Sequence, residues 1–269
     1  MITFEQQYQH LVKYILNFGE LRRVRNGMAK SVFGRTLSFD TSNLFIPLLR
    51  GRNMFYKGVF SELCAMLRTP TSIADFKKFG CNYWDLWGDK DGNIDIDYGK
   101  AWVDFNGVNQ LDEVMESIRL NPTDRRMIIS GWRPDRLEEL SLPCCHYAYQ
   151  FYVRYPNSAK CLDMLWHQRS VDVMIGLPSD MIFATAWLKA IAHFTGCRTG
   201  RITMTLGDTH IYDEHIKNAE IYVNTNIDSL PLPTLDFKTK AKTIYDILPS
   251  DFIVERYSPV QELKFELKA

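Results

Sequence analysis

Residues 142–146, Leu-Pro-Cys-Cys-His, lead directly into Tyr-Ala-Tyr-Gln-Phe-Tyr-Val at positions 147–153. Aromatic or aliphatic residues at every second position of the second segment predict a half-buried β-strand. A cysteine and a histidine just before such a strand would lie at the edge of a sheet, where a nucleophile can reach a ligand. Cys145 is therefore the candidate nucleophile, although an inert buried thiol is the commoner state of a cysteine.

A second segment, some twenty residues on, supplies a cation. It reads His-Gln-Arg-Ser-Val-Asp-Val at 167–173 and is followed by Gly-Leu-Pro-Ser-Asp at 176–180. A nearby cation lowers the pKa of a cysteine thiol, so we expect Arg169 to hold Cys145 ionised. We expect no metal here, because zinc sites favour paired cysteines about two to four residues apart and no second ligand pair stands at a matching distance.

The composition excludes several classes of protein. Of 269 residues, 46% are hydrophobic and 13% aromatic, which indicates a filled core and not a disordered chain. The 32 acidic and 32 basic residues cancel, so we expect neither nucleic acid nor a membrane as partner, whereas local arginines could bind a small anion. Six irregularly spaced cysteines, with no signal-like N-terminus and no long apolar run, indicate a reduced, cytoplasmic protein.

Hydrophobic periodicity predicts the elements of secondary structure. The predicted helices are 4–16, 55–67, 111–120, 181–193 and 211–221, and Ser179 or Asp180 is expected to cap the fourth. The predicted strands are 36–40, 127–130, 145–154, 161–168, 202–206 and 252–256. Residues 21–30 are expected to form a basic loop, either a solvated turn or an anion-binding loop. Helices and strands interleave irregularly and no linker separates them, so we expect one α+β domain over 1–269.

Together, these motifs resemble the thymidylate synthase family, from about residue 20 to Pro259. The matching segments are Glu62 in its helix, Tyr-Trp-Asp-Leu-Trp at 83–87, Tyr-Gly-Lys at 98–100, Arg125-Arg126, Cys145-His146, Gln-Arg-Ser-Val-Asp-Val at 168–173, Gly-Leu-Pro at 176–178 and Gly-Asp-Thr-His-Ile-Tyr at 207–212. Each motif alone could be structural, but chance assembly of all of them in this order is implausible. The resemblance implies a homodimer whose mixed β-sheet packs against helices and presents one face to the dimer interface.

The resemblance also implies a reaction, in which one carbon passes from 5,10-methylenetetrahydrofolate, a co-substrate, to C5 of a pyrimidine nucleotide. Addition of the Cys145 thiolate at C6 would make C5 of the electron-poor ring nucleophilic. Arg169 would stabilise both the thiolate and the substrate phosphate. Glu62 would relay protons to the ring through water, and Tyr98 would help to remove the C5 proton.

The binding residues follow from the same resemblance. Arg25 would contact the phosphate, although Arg23 is also a candidate because the ungapped position is Val24. Arg125 and Arg126 would reach that phosphate from the other subunit, so that a monomer should be inactive. The other nucleotide contacts would be His146, Gln168, Ser170, Asp172, His210 and Tyr212, the last two at the 3′-hydroxyl of either sugar. The folate contacts would be Arg52, Trp84, Trp87, Leu142 and Gly176.

Asp180 departs from the family, in which an asparagine at this position reads the base. An amide matches N3–H and O4 of uracil, whereas cytosine presents an acceptor at N3 and a donor at N4. A protonated carboxyl group matches cytosine, and burial beside the ligand would raise its pKa. We therefore expect dCMP to be the substrate, unless Asp180 only caps its helix.

The C-terminal segment 265–269, Phe-Glu-Leu-Lys-Ala, is charged where the family is mostly apolar. A closed apolar tail keeps water from the transferred carbon. Glu266 and Lys268 therefore favour 5-hydroxymethylation of dCMP. The alternatives are reductive methylation of dCMP or of dUMP and, in another class, a non-catalytic nucleotide- or RNA-binding homologue.

Overall fold

A six-stranded sheet forms the centre of the computed structural model, which describes residues 3–268. Its strands are β1 (Glu20–Val24), β2 (Gly27–Asp40), β3 (Ile128–Ser130), β4 (His146–Arg154), β5 (Cys161–Asp172) and β6 (Arg198–Tyr212). They lie in the order β1-β2-β6-β5-β4-β3. Only β5 and β6 run parallel, so the sheet is mixed, as predicted. Two further strands, β7 (Thr234–Phe237) and β8 (Phe252–Glu255), pair with each other.

Helices cover the sheet. They are α1 (Phe4–Phe18), α2 (Tyr56–Met66), α3 (Ile73–Lys77), α4 (Lys100–Val103), α5 (Gln110–Leu120), α6 (Gly176–Thr195) and α7 (Ile216–Val223). The central helix is α6, which packs on β5, β6 and α2 and is buried along nearly its whole length. A helix that is apolar on all sides needs such a position. The first residues of α6 follow shortly after the end of β5 in the sequence.

The basic segment 21–30 is a hairpin, so the predicted loop is wrong. Strands β1 and β2 pair from Glu20 opposite Ser31 to Val24 opposite Gly27, and only Arg25 and Asn26 remain in the turn. Strand β1 is an exposed edge strand, and its charged side chains obscure the alternation that normally marks a strand. The hairpin projects Arg25 from a rigid turn.

Two boundaries near the predicted site also differ. Strand β6 continues to Tyr212, because it pairs with β5 up to His210 and with β2 up to Tyr212, and the following helix begins only at Ile216. Helix α6 begins at Gly176, so neither Ser179 nor Asp180 caps it. A proline in the first turn does not interrupt it, since the first N–H groups of a helix have no partner within it.

Gly99 allows the Tyr-Gly-Lys motif at 98–100 to pack closely against α2. Gly99 has φ of 79° and lies so close to the carbonyl of Met66 that any side chain would collide with it. Only glycine accepts both the backbone conformation and the contact. The preceding residue, Tyr98, is thereby held between α2 and the start of β4.

No helix within residues 3–268 is long and apolar enough to cross a membrane. The six cysteines form no disulfide.

Candidate active site

A cavity of about 940 Å³ opens between the hairpin turn, α2, the start of β4, the ends of β5 and β6, the start of α6 and the C-terminal tail. This volume is at the upper end of the roughly 300–1,000 Å³ typical of small-molecule sites, and it has room for two ligands side by side. Every predicted site residue except Arg125 and Arg126 lines it. The topology therefore brings together motifs that are far apart in the sequence.

The thiol of Cys145 lies on the cavity wall, immediately before β4. Its backbone N–H donates to the hydroxyl of Tyr98, and its carbonyl accepts the N–H of Arg169 at 2.8 Å. Burial raises the pKa of the Cys145 thiol, while the charge of Arg169 and a hydrogen bond from Tyr98 lower it in part. Burial thus outweighs the cation, and Arg169 offsets only part of the rise in the pKa of this thiol.

The guanidinium of Arg169 also holds the loop that carries the nucleophile. Its Nε donates to the carbonyl of Cys144 at 2.8 Å and its Nη2 to that of Pro143 at 2.9 Å. Gly207 on β6 lies against the backbone of Arg169, where a side chain would collide with it. Arg169 is thus fixed by both neighbouring strands.

Glu62 on α2 accepts a hydrogen bond from the indole N–H of Trp84 at 2.7 Å. Burial raises the pKa of Glu62 to about 7, although hydrogen bonds from Tyr83 and Trp84 oppose the shift. A carboxyl group with this pKa can both give and take a proton near neutral pH. Tyr83 belongs to the quoted 83–87 motif but was not predicted as a site residue.

The carboxyl group of Asp180 faces the cavity from inside α6, past the first turn, which rules out helix capping. Its Oδ2 accepts a hydrogen bond from Nε2 of Gln168 at 2.5 Å, and its Oδ1 lies 4.0 Å from Nε2 of His146. Burial raises the pKa of Asp180 to about 8, and the nearby charges of Glu62 and Asp172 add to the effect. Burial keeps His146 neutral, since it lowers the pKa of that imidazole to about 3.

His210 and Tyr212 lie at the end of β6, and Ser170 and Asp172 lie beside them on β5. Nδ1 of His210 is 2.9 Å from Oδ1 of Asp208, which also accepts from the hydroxyl of Ser31 at 2.8 Å. Nδ1 therefore donates to Asp208, and Nε2 of His210 remains for a ligand hydroxyl. Asp208 was missed as a site residue, although it stands within the quoted 207–212 motif.

The arginines divide into two groups. Arg25 lines the cavity from the hairpin turn, whereas Arg23 does not. Arg125 and Arg126 are exposed outside the cavity, and Arg126 pairs with Asp124 at 3.1 Å. The single chain therefore does not bring this pair to its own site.

The opposite end of the cavity has donors without acceptors. Nε1 of Trp87 and Nε of Arg52 are buried and lack a partner among the described residues. Arg52 otherwise donates to the carbonyl of Met174 and lies 4.8 Å from the ring of Phe265. Leu142 and Gly176 also line the cavity, and residues 3–268 contain no cluster that could hold a metal ion.

The C-terminal tail closes one side of the cavity. Leu263, Phe265 and Leu267 line it, while Glu266 is exposed and Lys268 pairs with Glu214 at 2.8 Å. Lys264 and Lys268 also line the cavity, so of the two predicted charges only Glu266 lies outside it. Because Lys268 lines the cavity, the prediction that charges make a wetter lid stays a prediction.

A family model described as thymidylate synthase matches residues 6–269. The match includes α1 and the tail, beyond the limits of the motif-based resemblance. It spans nearly the whole chain, and the cavity holds the predicted nucleophile, acids and arginine together. The chain belongs to the thymidylate synthase family, whose enzymes transfer one carbon from methylenetetrahydrofolate to C5 of a pyrimidine nucleotide.

Proposed function

We propose that this protein 5-hydroxymethylates dCMP, with 5,10-methylenetetrahydrofolate as the one-carbon donor. The main support is Asp180, a carboxyl group with a raised pKa that faces the cavity where the family carries an amide. With a pKa of about 8, Asp180 holds a proton at neutral pH. The acid can then donate to N3 of cytosine and accept from the N4 amine.

A carboxylic acid beside a cytosine forms two hydrogen bonds, whereas a base that does not match the position of its proton leaves buried polar groups unpaired. Such a mismatch lowers affinity by up to roughly 10⁴–10⁵-fold in the best cases. Cytosine with a proton at N3 and an ionised Asp180 forms the same two bonds, so the match holds wherever the shared proton resides.

Cys145 would add to C6 of the base, which makes C5 nucleophilic. Its raised thiol pKa means that the thiolate must be stabilised as the substrate binds, and Arg169 is the cation in place to do so. Tyr98, whose hydroxyl accepts from the backbone of Cys145, would assist removal of the C5 proton. Glu62 would move protons to the ring. The bound folate supplies the one-carbon unit.

We also propose that a second subunit completes the phosphate site. Arg25 and Arg169 line the cavity of the same chain, but Arg125 and Arg126 are exposed elsewhere. Two guanidinium groups with mostly unsatisfied donors suit a phosphate. A homodimer that places them over the partner's cavity would use them and bury them.

Hydroxymethylation requires water at the transferred carbon. The side chains of Lys264 and Lys268 border the cavity at the tail, which supports a path for water. Methylation of dCMP is the second candidate, favoured by Leu263, Phe265 and Leu267 on the same wall. A non-catalytic homologue is disfavoured because Cys145, Arg169, Glu62 and Tyr98 all line one cavity.

Mass analysis of products from dCMP, dUMP and CMP, each with methylenetetrahydrofolate, tests the proposal. We expect 5-hydroxymethyl-dCMP without dihydrofolate. Stoichiometric dihydrofolate would show methylation instead. A product from dUMP alone would contradict the cytosine assignment, and the absence of any product or covalent adduct with a 5-fluoro nucleotide would indicate the non-catalytic class.

A further inference from the structure

A buried chain of hydrogen bonds leads from the sheet core to Asp180. Nε1 of Trp166 donates to Oε1 of Gln168 at 3.1 Å, and Nε2 of Gln168 donates to Oδ2 of Asp180 at 2.5 Å. Trp166 is fully buried and Gln168 is 3% exposed. Both residues lie on β5 with side chains on the same face, because they are two positions apart.

The indole N–H of Trp166 fixes the direction of both hydrogen bonds. An indole N–H can only donate, so the amide oxygen of Gln168 must face Trp166. The amide nitrogen must then face Asp180, and it too can only donate. Oδ2 of Asp180 accepts this hydrogen bond, and because a carbonyl-type oxygen is a better acceptor than a protonated one, the bond favours the proton on Oδ1.

This constraint matters because a neutral carboxyl group can exchange its donor and its acceptor. With the proton on one oxygen it matches N3 and N4 of cytosine, and with the proton on the other it matches N3 and O4 of uracil. Asp180 by itself therefore recognises cytosine without excluding uracil. Discrimination requires that one oxygen be kept from carrying the proton.

We propose that Trp166 and Gln168 are positioning residues that set base specificity, because they hold Oδ2 of Asp180 as an acceptor and so confine its proton to Oδ1. This inference rests on the proposed function, since the preference for dCMP implies that Oδ1 lies opposite N3. Burial raises the pKa of Asp180, so that the carboxyl group carries the proton whose position these two residues set.

Matched tryptophan substitutions separate hydrogen bonding from packing. Trp166→Phe removes the indole donor and some packing. Trp187→Phe removes a fully buried indole from the same aromatic cluster, but Nε1 of Trp187 has no partner among the described residues. Gln168→Met removes the amide and retains the length of the side chain. The measurement is the ratio of kcat/KM for dCMP to that for dUMP, which a general loss of folding leaves unchanged.

We expect the ratio to fall about tenfold in Gln168→Met and in Trp166→Phe, which corresponds to the free energy of about one hydrogen bond. The fall should combine a higher kcat/KM for dUMP with a lower kcat/KM for dCMP. In Trp187→Phe the ratio should equal that of the wild type. A wild type that prefers dCMP, together with unchanged ratios in Trp166→Phe and Gln168→Met, would overturn this inference and leave the proposed function standing. If either of these variants fails to fold, the other decides. A wild type that prefers dUMP would overturn the proposed function and the inference with it.

Discussion

Gln168 donates from Nε2 to Oδ2 of Asp180 across 2.5 Å, at the base of a cavity that also holds the thiol of Cys145. The contact joins β5 to α6, so the base-reading group is attached to two rigid elements. Because Asp180 is an acid where relatives carry an amide, its protonation state controls which base it can pair with. Stability, activity and specificity should therefore all depend on this proton.

Asp180 should lower the free energy of unfolding as the pH rises. Its pKa is about 8 in the folded protein against 3.8 for an ordinary aspartate, so the folded state retains a proton that the unfolded chain loses. The free energy of unfolding should decrease by up to about 1.4 kcal/mol per pH unit between these values, relative to Asp180→Asn. Urea unfolding of both proteins at pH 5 and pH 8 measures the difference. A difference that does not change with pH would mean that Asp180 is ionised when buried.

Trp84 should tune the acid Glu62. The hydrogen bond from its indole lowers the pKa of Glu62, so Trp84→Phe should raise that pKa above its value of about 7. The limb of the pH profile of kcat/KM that reports the ionisation of Glu62 should move to higher pH. Trp87→Phe is the matched control, because its indole N–H has no partner within residues 3–268. An equal movement of the limb in both variants would exclude this role of Trp84.

His215 should anchor the C-terminal tail. Its Nε2 lies 2.9 Å from the carbonyl of Glu266, and its ring packs against Phe265. His215→Ala should raise KM for the folate several-fold and change KM for the nucleotide much less, because the tail borders the folate end of the cavity. His193→Ala, at an exposed position near the end of α6, serves as control. Equal changes in both Michaelis constants would argue against a local effect on the tail.

Shared active sites should allow complementation. Arg126→Ala and Cys145→Ala should each be nearly inactive alone, since one lacks a phosphate ligand and the other its nucleophile. Mixing them under conditions that exchange subunits should restore roughly a quarter of wild-type activity, because half of the dimers gain one intact site. Cys144 stays intact in this test, so that the loss is specific to Cys145. A mixture as inactive as its components would contradict an interface that places Arg126 in the partner's site.

Much of the fold and the site could be predicted from the sequence, where pattern and chemistry agree. The alternation at 147–153 and the apolar run at 181–193 identified β4 and α6, because burial imposes their periods. The hairpin at 20–30 was missed because an exposed edge strand carries no apolar alternation. The role of Trp166 was missed, since only the packing of β5 against α6 shows that Gln168, which its indole contacts, reaches Asp180.

The tail shows a different limit of sequence reasoning. Glu266 and Lys268 were interpreted as charges inside a lid, but an extended segment sends alternate side chains to opposite faces. Leu263, Phe265 and Leu267 line the cavity and Glu266 does not, whereas Lys268 lines it and also pairs with Glu214. Composition alone could not reveal that arrangement.

The most direct measurement is the ratio of kcat/KM for dCMP to that for dUMP, determined for the wild type and for Asp180→Asn under the same conditions, with C5 tritium release as the assay. A cytosine-reading carboxyl group predicts a strong preference for dCMP in the wild type and a shift toward dUMP in the variant. A wild type that prefers dUMP, or a variant whose ratio equals that of the wild type, would contradict the assignment.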